Sequence, residues 1–198
     1  MEFELTFRTQ RLILRPWREA DLAPFAALNA DPRVREFFGK LLTCEESDAS
    51  ARRIMQLMTE HPFGLWAVEV PGVADFIGFT GLNAVTFEAP FTPCVEIGWR
   101  LAYEFWGRGY ASEAAEAAVR YAFETLKLPE IVAFVVPTNA RSRAVMARLG
   151  MHFSHADDFE HPSEPAGHPL RPHLLYRLRH EEYLARGRFI PLQVSGFC

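Results

Sequence analysis

The segment from Cys94 to Ser112 (CVEIGWRLAYEFWGRGYAS) has the residue types and spacing of an anion-binding site. Its first part predicts a strand from Val95 to Leu101, and an alanine-rich helix is predicted to begin near Tyr110. The loop between them holds two glycines that flank Arg108. The first turn of a helix has backbone N–H groups without intrahelical partners and carries partial positive charge. This junction is therefore predicted to bind an anion.

The two glycines, Gly107 and Gly109, allow two interpretations. In the first, the backbone approaches a phosphate closely because no Cβ intervenes, and Arg108 adds positive charge. In the second, the glycines serve only the geometry of the turn. The sequence lacks the Gly-Lys-Ser/Thr of a mononucleotide loop, and Ser112 stands where a dinucleotide motif has a third Gly or Ala. Both nucleotide interpretations are therefore weak.

A carboxylate lies near the middle of the predicted strand. Because side chains alternate along a strand, Glu96 and Arg100 face one way, with Gly98 between them. Charged residues are seldom buried unless they are paired. Glu96 is therefore an ion-pair partner of Arg100, part of an exposed strand face, or a general base.

Composition narrows the class of protein. A chain of 198 residues that is 49% hydrophobic and 13% aromatic can build one full core, and we predict a single domain over residues 1–185 with a tail over 186–198. The net charge of −4 and the lack of a basic run argue against a nucleic-acid partner. No apolar stretch approaches the roughly 18 residues that suggest a membrane span. Three cysteines without a CxxC motif predict neither a disulfide framework nor a zinc site, and we expect a cytoplasmic protein.

Other segments predict alternating strands and helices. A capping box, Thr43-x-x-Glu46, marks the start of one helix. The helix after Gly109 should be followed by a buried strand, Ile131 to Val136, which the handedness rule places parallel to the strand before it. The remaining predicted elements are strands over Arg11–Arg15, Gly64–Val70, Phe76–Val85, Met151–Ser154 and Leu174–Leu178, and helices over Glu19–Asn29 and Ala140–Leu149.

Three motifs in this order carry a family resemblance: EIGWRL, WGRGYASEA and NARSRAVMARLGM. With the opening TQRLILRPWREAD, they resemble the GNAT superfamily of acetyl-coenzyme A-dependent N-acetyltransferases, over about residues 8 to 180. The chain is most similar to the Rim-type branch, whose members modify N-terminal amines of ribosomal proteins or small amines. The resemblance implies an α/β (α+β) fold with a mixed sheet of about seven strands, splayed between the fourth and fifth and flanked by helices.

The resemblance also implies how acetyl-coenzyme A is bound as a cosubstrate, with no metal. The pyrophosphate is expected on the loop and helix start, at Arg108, Gly109, Tyr110, Ala111 and Ser112. The pantetheine arm is expected along the splayed strand, at Trp99, Arg100 and Leu101. Near the thioester it is expected to meet Asn139 and Ser142.

The expected chemistry is acetyl transfer to a primary amine of a small molecule or a peptide N-terminus. An amine attacks only when neutral, so a proton must leave, and Glu96 is the candidate base, directly or through water. A backbone N–H near Trp99 is expected to meet the charge on the carbonyl oxygen. Met146 stands where many members have a tyrosine donor, so Ser142 either protonates the thiolate or only hydrogen-bonds the sulfur. Cys94 has no neighbouring His, and direct transfer in a ternary complex is expected.

The segment from His152 to His173 contains five histidines, and we predict a long loop beside the acceptor entrance. Without HExxH or a fixed helical spacing it does not predict a metal site. Its acids and histidines would suit a cationic amine. Aromatic residues are candidates for lining the acceptor pocket or are ordinary core: Phe37, Phe38, Trp66, Phe87 and Phe91. In the tail, the apolar residues either cover a homodimer surface or are disordered: Phe189, Ile190, Leu192 and Val194.

Two other functions stay open at this stage. One keeps the coenzyme but transfers a larger acyl group such as succinyl, which would require cationic residues in the acyl pocket. The other is a coenzyme A-binding protein without catalysis, which would release no thiol with any amine.

Overall fold

A computed structural model of the chain describes residues 5–187 and 193–195. Within these residues the chain forms ten strands and six α-helices. The strands are β1 (Thr6–Arg8), β2 (Ile13–Arg15), β3 (Leu65–Val70), β4 (Ala74–Ala84), β5 (Val95–Leu101), β6 (Glu130–Val135), β7 (His152–Phe153), β8 (Phe159–Glu160), β9 (Pro172–Arg179) and β10 (Gln193–Ser195). The helices are α1 (Leu22–Ala30), α2 (Pro32–Arg35), α3 (Cys44–Glu60), α4 (Tyr110–Arg120), α5 (Ala140–Arg148) and α6 (His180–Ala185).

The strands form one mixed sheet in the order β10-β1-β2-β3-β4-β5-β6-β9-β7, with β8 paired to β9. Neighbouring strands are antiparallel except β5 and β6, which are parallel as the handedness rule predicts. The predicted mixed α/β fold is confirmed, with more strands than expected. The strands that the sequence did not predict are β1, β8 and β10, and each has only two or three residues. Such lengths are too short for a visible alternation of apolar and polar side chains, and the equally short β2 and β7 were predicted only as parts of longer segments.

The sheet splays open between β5 and β6. β5 pairs with β4 along its whole length but meets β6 only at Glu96 and Val132. Beyond that pair the two strands diverge, and the edge of β5 facing β6 is without strand partners. The predicted splay is confirmed, although β5 and β6 are the fifth and sixth strands because β1 adds one at the start. This opening gives a ligand access to the backbone of β5.

Helix α4 can lie close to the sheet because its inner face is made of small side chains. It packs on β4 and β5, and after Arg120 the chain continues as a π-helical turn, Tyr121–Thr125. The residues on the buried face are Ala114, Ala115, Ala118, Val119 and Ala122. The helix start is thereby held at the open end of β5.

Local capping signals match the structure closely. Thr43 and Glu46 form the predicted capping box of α3, with the Thr43 hydroxyl accepting from the Glu46 N–H at 3.2 Å. Asn139 caps α5, and its side-chain oxygen accepts from the N–H of Ser142 at 3.1 Å. Asn139 and Ser142 are thus held in fixed positions at the start of α5.

The buried apolar side chains form one core cluster that includes both Phe7 near the start and Tyr183 in α6. The backbone of β10 pairs with β1, whereas Phe189, Ile190 and Leu192, for which a dimer surface or disorder was predicted, lie outside the described residues. Of the helices in the described ranges, none is long and apolar enough to cross a bilayer.

Candidate active site

A cavity of about 510 Å³ lies over the open end of β5, the loop before α4 and the start of α5. We call it the larger cavity, and all but one of the residues predicted to contact the coenzyme line it. Those that line it are Trp99, Arg100, Leu101, Gly109, Tyr110, Ala111, Ser112, Asn139 and Ser142. The exception is Arg108, whose guanidinium lies 5.7 Å from the centre of the Phe105 ring and is not part of the cavity wall.

The start of α4 offers backbone donors to the larger cavity. In the described part of the chain, no side chain caps this helix, so its first N–H groups, beginning at Tyr110, lack intrahelical partners. Gly109 at the N-cap has φ of 80°, a left-handed conformation that side chains with a Cβ rarely adopt. The loop therefore depends on glycine at this position, and its donors are free to bind an anion.

An N-terminal clamp, formed by Thr9, Arg11 and Glu113, fixes this loop. The Glu113 carboxylate accepts from the Thr9 hydroxyl at 2.6 Å and from the Arg11 backbone N–H at 2.8 Å. The Arg11 guanidinium pairs with the same carboxylate at 2.6 Å and donates to the carbonyl of Arg108 at 2.9 Å. Thr9 and Arg11 lie 104 and 102 residues from Glu113 in the chain, so no local sequence pattern indicates this clamp.

Cationic side chains lie around the outer part of the larger cavity. Arg33, Arg141 and Arg148 all line it. The guanidinium of Arg141 lies 4.7 Å from the centre of the Trp106 ring and pairs with Glu36, and Arg33 pairs with Asp31 at 2.6 Å. A polyanionic ligand would therefore meet Arg148 directly and would have to compete with Asp31 and Glu36 for the other two arginines.

A smaller cavity of about 230 Å³ lies on the other side of the splay and contains Glu96. It is also lined by Asn83, Phe134, Met146 and His173. The two cavities meet at a junction formed by Phe37, Phe38, Trp99, Arg100, Asn139 and Ser142, which line both of them. A group bound in one cavity can therefore reach a group bound in the other.

The surroundings of Glu96 favour its neutral form and are not those of an ion pair. Burial raises the pKa of the Glu96 carboxyl to about 8, and a hydrogen bond from the Asn83 side chain opposes that rise. Asn83 lies directly across from Glu96 in the β4–β5 register, which places the two side chains on one face of the sheet. Among the described residues, no ion pair joins Glu96 to Arg100, although that pairing was one of the alternatives.

Ser142 lies at the junction, as a residue near the thioester would have to. Met146, one turn along α5, lines the smaller cavity with a side chain that cannot donate a proton. Burial, with a smaller effect from Glu96, raises the pKa of the Cys94 thiol to about 11, and Cys94 lines neither cavity. Cys94 is therefore a protonated thiol at neutral pH, which argues against a covalent intermediate on it.

The histidine-rich segment touches the smaller cavity through one residue, His173. Burial lowers the pKa of His173 and of the neighbouring His161, so both are neutral at pH 7. The four acids of the segment have partners within the fold: Asp157 with Arg177, Asp158 with His155, Glu160 with Arg171, and Glu164 with His168. In the described ranges, no group of three or more potential metal ligands occurs.

The predicted aromatic lining divides into three groups. Phe37 and Phe38 line both cavities, and Trp66 is part of the core. Phe87 and Phe91 pack instead with Phe159, behind the cavity residue Phe134.

A match to a known protein domain identifies the family of this chain. The model of the acetyltransferase (GNAT) domain matches residues 11–152. The chain belongs to the GNAT acetyltransferase family and is an acyl-CoA-dependent N-acetyltransferase. The resemblance drawn from the motifs is confirmed.

Individual relatives agree with this assignment. The FsC-acetyl coenzyme A-N(2)-transacetylase of Aspergillus fumigatus is 35% identical over 206 aligned residues, which cover 96% of this chain and 86% of that protein. A solved acetyltransferase from Agrobacterium tumefaciens is 32% identical, with a TM-score of 0.69 over 88% of this chain and 94% of that one. RimJ of Mycobacterium smegmatis, solved in complex with CoA-disulfide, shares the fold at 21% identity, with a TM-score of 0.69 over 93% of each chain.

Proposed function

We propose that this chain transfers the acetyl group of acetyl-coenzyme A to a primary amine bound in the smaller cavity, by direct attack in a ternary complex. The observation that carries the proposal is the meeting of two cavities at the splay of β5 and β6, with Glu96 in one and the uncapped start of α4 in the other. The proposed catalytic domain spans residues 1–185.

The larger cavity fits the coenzyme. The backbone N–H groups of Gly109, Tyr110, Ala111 and Ser112 would hold the pyrophosphate, because a helix start favours anions and glycine leaves room for close approach. Arg148 would supply positive charge to the remaining phosphate-bearing part, and Arg33 and Arg141 would do so by exchanging Asp31 and Glu36 for the ligand. The open edge of β5, from Trp99 to Leu101, would hold the pantetheine arm through its free backbone groups. When bound, the coenzyme supplies a thioester as the acyl donor.

Glu96 is the proposed general base. The α-amine of a peptide titrates near 8, so an amine of this kind is largely protonated at pH 7. A base is most effective when its pKa lies near that of the group it deprotonates and near the working pH, and burial gives Glu96 a pKa of about 8. Asn83 orients the carboxylate by its hydrogen bond. Glu96 thus accepts the proton that the attacking amine loses, directly or through one water.

Two further groups act at the junction. The backbone N–H near Trp99 is proposed to donate to the thioester oxygen as negative charge develops there. Ser142 is proposed to hydrogen-bond the coenzyme sulfur, and a hydroxyl there also offers a proton to the departing thiolate. The Asn139 cap holds Ser142 in position for either role.

The proposed acceptor is an α-amine, a primary amine on the carbon that adjoins a carbonyl carbon, as in an amino acid or a peptide N-terminus. The name of the Aspergillus relative assigns its acetyl transfer to an N(2) nitrogen, and the α-nitrogen of an amino acid carries that number. A second candidate, transfer of a larger acyl group such as succinyl, is kept because a cationic side chain, Arg100, lines both cavities.

Thiol release tests the proposed reaction. Acetyl-coenzyme A should release free thiol in the presence of α-amines and should release little without an amine. Mass spectrometry should find one acetyl group on the amine. Tight coenzyme binding without thiol release from any member of an amine panel would instead support the non-catalytic alternative.

A glycine substitution tests how the coenzyme is held. We expect Gly109→Val to weaken coenzyme A binding by at least tenfold, because a β-branched residue in the left-handed conformation costs about 1–3 kcal/mol and displaces the loop. Calorimetric titration measures the affinity. The matched control is Gly72→Val, since Gly72 has φ of 73° in the turn between β3 and β4, remote from both cavities. Equal coenzyme affinities of the two variants would contradict the proposal.

A further inference from the structure

Arg100 is a half-buried cation that has no anionic partner among the described residues. Its Nε is buried and has no hydrogen-bond partner in the structure. One terminal nitrogen donates to the side-chain oxygen of Asn29 at 3.1 Å, which is a neutral amide. Among residues 5–187, no carboxylate forms an ion pair with Arg100, and its only charged neighbour of consequence is another cation, Arg35.

The fold fixes Arg100 in place without neutralising it. Phe38 and Phe79 lie 3.9 and 5.3 Å from the guanidinium carbon, measured to their ring centres. The amide nitrogen of Asn29 donates to the Ser47 hydroxyl at 3.0 Å, which leaves the amide oxygen directed at Arg100. Burial and the nearby Arg35 lower the pKa of Arg100 to about 9, so the group stays charged at neutral pH. Buried charges are normally paired, because desolvation of an unpaired charge is costly.

The position of Arg100 on β5 connects it to the reaction. One face of β5 carries Glu96, Gly98 and Arg100. The Cα atoms of Glu96 and Arg100 are about 13 Å apart at the usual rise per residue. A side chain at Gly98 would meet no atom within 4 Å, so the space between the base and the cation is open. Arg100 also lines both cavities at the junction. A small molecule over Gly98 would place one end near Glu96 and the other near Arg100.

We propose that Arg100 binds a ligand carboxylate at the junction, and that the substrate pair of this enzyme includes a carboxylate close to the reacting amine or acyl group. The inference rests on the proposed function and specifies its substrate class. The carboxylate has two sources: the acceptor, as in a free α-amino acid, or the acyl donor, as in succinyl-coenzyme A. In either case Arg100 is a specificity-determining residue, whose guanidinium geometry suits two oxygens at once.

The first experiment compares matched acceptors. Alanine, phenylalanine and lysine are each assayed against their own carboxamides with acetyl-coenzyme A, for the wild type and for Arg100→Gln. For each enzyme, kcat/KM for the acid is divided by kcat/KM for its amide, and the wild-type ratio is then divided by the variant ratio. Because acids and amides differ in amine pKa to the same extent in both assays, the effect of that difference cancels. We expect this quotient to be about 30 or more, the usual effect of removing one partner of a buried charge pair. Arg100→Lys should restore part of it.

The second experiment compares donors. Succinyl- and acetyl-coenzyme A are assayed with one carboxamide acceptor, and the succinyl-to-acetyl ratio in the wild type is divided by that in Arg100→Gln. A large quotient here assigns the carboxylate to the donor, and a large quotient in the first experiment assigns it to the acceptor. If both quotients lie near one, the proposal is wrong even though acetyl transfer itself is observed. Arg52→Gln, an exposed substitution on α3, is the control and should give quotients of one.

A binding measurement keeps the test independent of turnover. N-acetylphenylalanine and its carboxamide are titrated into the wild type and into Arg100→Gln, each saturated with coenzyme A. We expect the wild type to prefer the acid and the variant to lose that preference, with the melting temperature of the variant kept or raised because an unpaired buried charge is gone. A preference that persists in the variant would overturn the assignment of the acceptor carboxylate to Arg100 and leave only the donor assignment, which the second experiment decides. Absence of thiol release with every acceptor would overturn the proposed function alone.

Discussion

Glu96→Gln is expected to lower kcat/KM by about 10²–10⁴-fold at pH 9, the usual contribution of a general base. At pH 6 the loss should be far smaller. Burial raises the pKa of Glu96 to about 8, so at pH 6 the wild-type side chain is already protonated and cannot accept a proton. The ratio of wild-type to variant rates should therefore rise with pH and level off above about pH 8. Using this ratio cancels the titration of the amine itself.

Stability gives an independent check on the same pKa. The carboxyl of an unfolded chain titrates near 4.3, so between about pH 4.3 and pH 8 the folded protein binds the extra proton. Stability attributable to Glu96 is then lost as pH rises through this window. The melting temperature of Glu96→Gln should exceed that of the wild type by an amount that grows from pH 4.5 to pH 8. Glu181→Gln, a substitution at a side chain that is 79% exposed, should show neither effect. A constant rate ratio across pH would remove Glu96 from the role of base.

Arg15→Met is expected to destabilise the fold by about 3–5 kcal/mol. Arg15 is 3% exposed on β2, and its guanidinium forms two hydrogen bonds with Asp21, at 2.8 and 2.9 Å, and one with Glu69 at 2.9 Å. Removing the cation would leave the buried Asp21 carboxylate without its cation, and Glu69 would keep only Arg18, at 3.8 Å. Urea unfolding followed by circular dichroism measures the loss.

Arg33→Met is the matched control for this prediction. Arg33 also pairs with an aspartate, Asp31, but its side chain is 58% exposed, and exposed pairs contribute about 0–1 kcal/mol. A cost for Arg15→Met no larger than that for Arg33→Met would show that the buried cluster contributes little. The contrast with Arg100 is informative, because Arg15 is buried with two carboxylates whereas Arg100 has none among the described residues.

The local part of the site was predictable from the sequence. The bounds of β5 and the first residue of α4 match the predicted bounds, because alternation, glycine and an alanine stripe act over a few residues. The capping box at Thr43 and the cap at Asn139 were predictable for the same reason. Most of the residues that the motifs predict to contact the coenzyme line one cavity.

The long-range part of the site was not predictable in this way. Asn83 reaches Glu96 through strand register, which composition does not specify. Asn29 and Arg100 are 71 residues apart, and no periodicity joins α1 to β5. The Arg108 side chain was expected near phosphate from its position between two glycines, but its direction depends on packing against Phe105. The acids of the histidine-rich segment pair with arginines and histidines that sequence reasoning did not connect to them.

A crystal structure of the chain with coenzyme A is the most direct test of the central claim that the larger cavity binds the coenzyme. We expect the pyrophosphate oxygens within about 3.2 Å of backbone N–H groups between Gly109 and Ser112. We expect the sulfur at the junction, close to Ser142 and Trp99, with Glu96 in the adjoining smaller cavity. Coenzyme bound elsewhere, with the start of α4 left in contact with solvent, would contradict this claim.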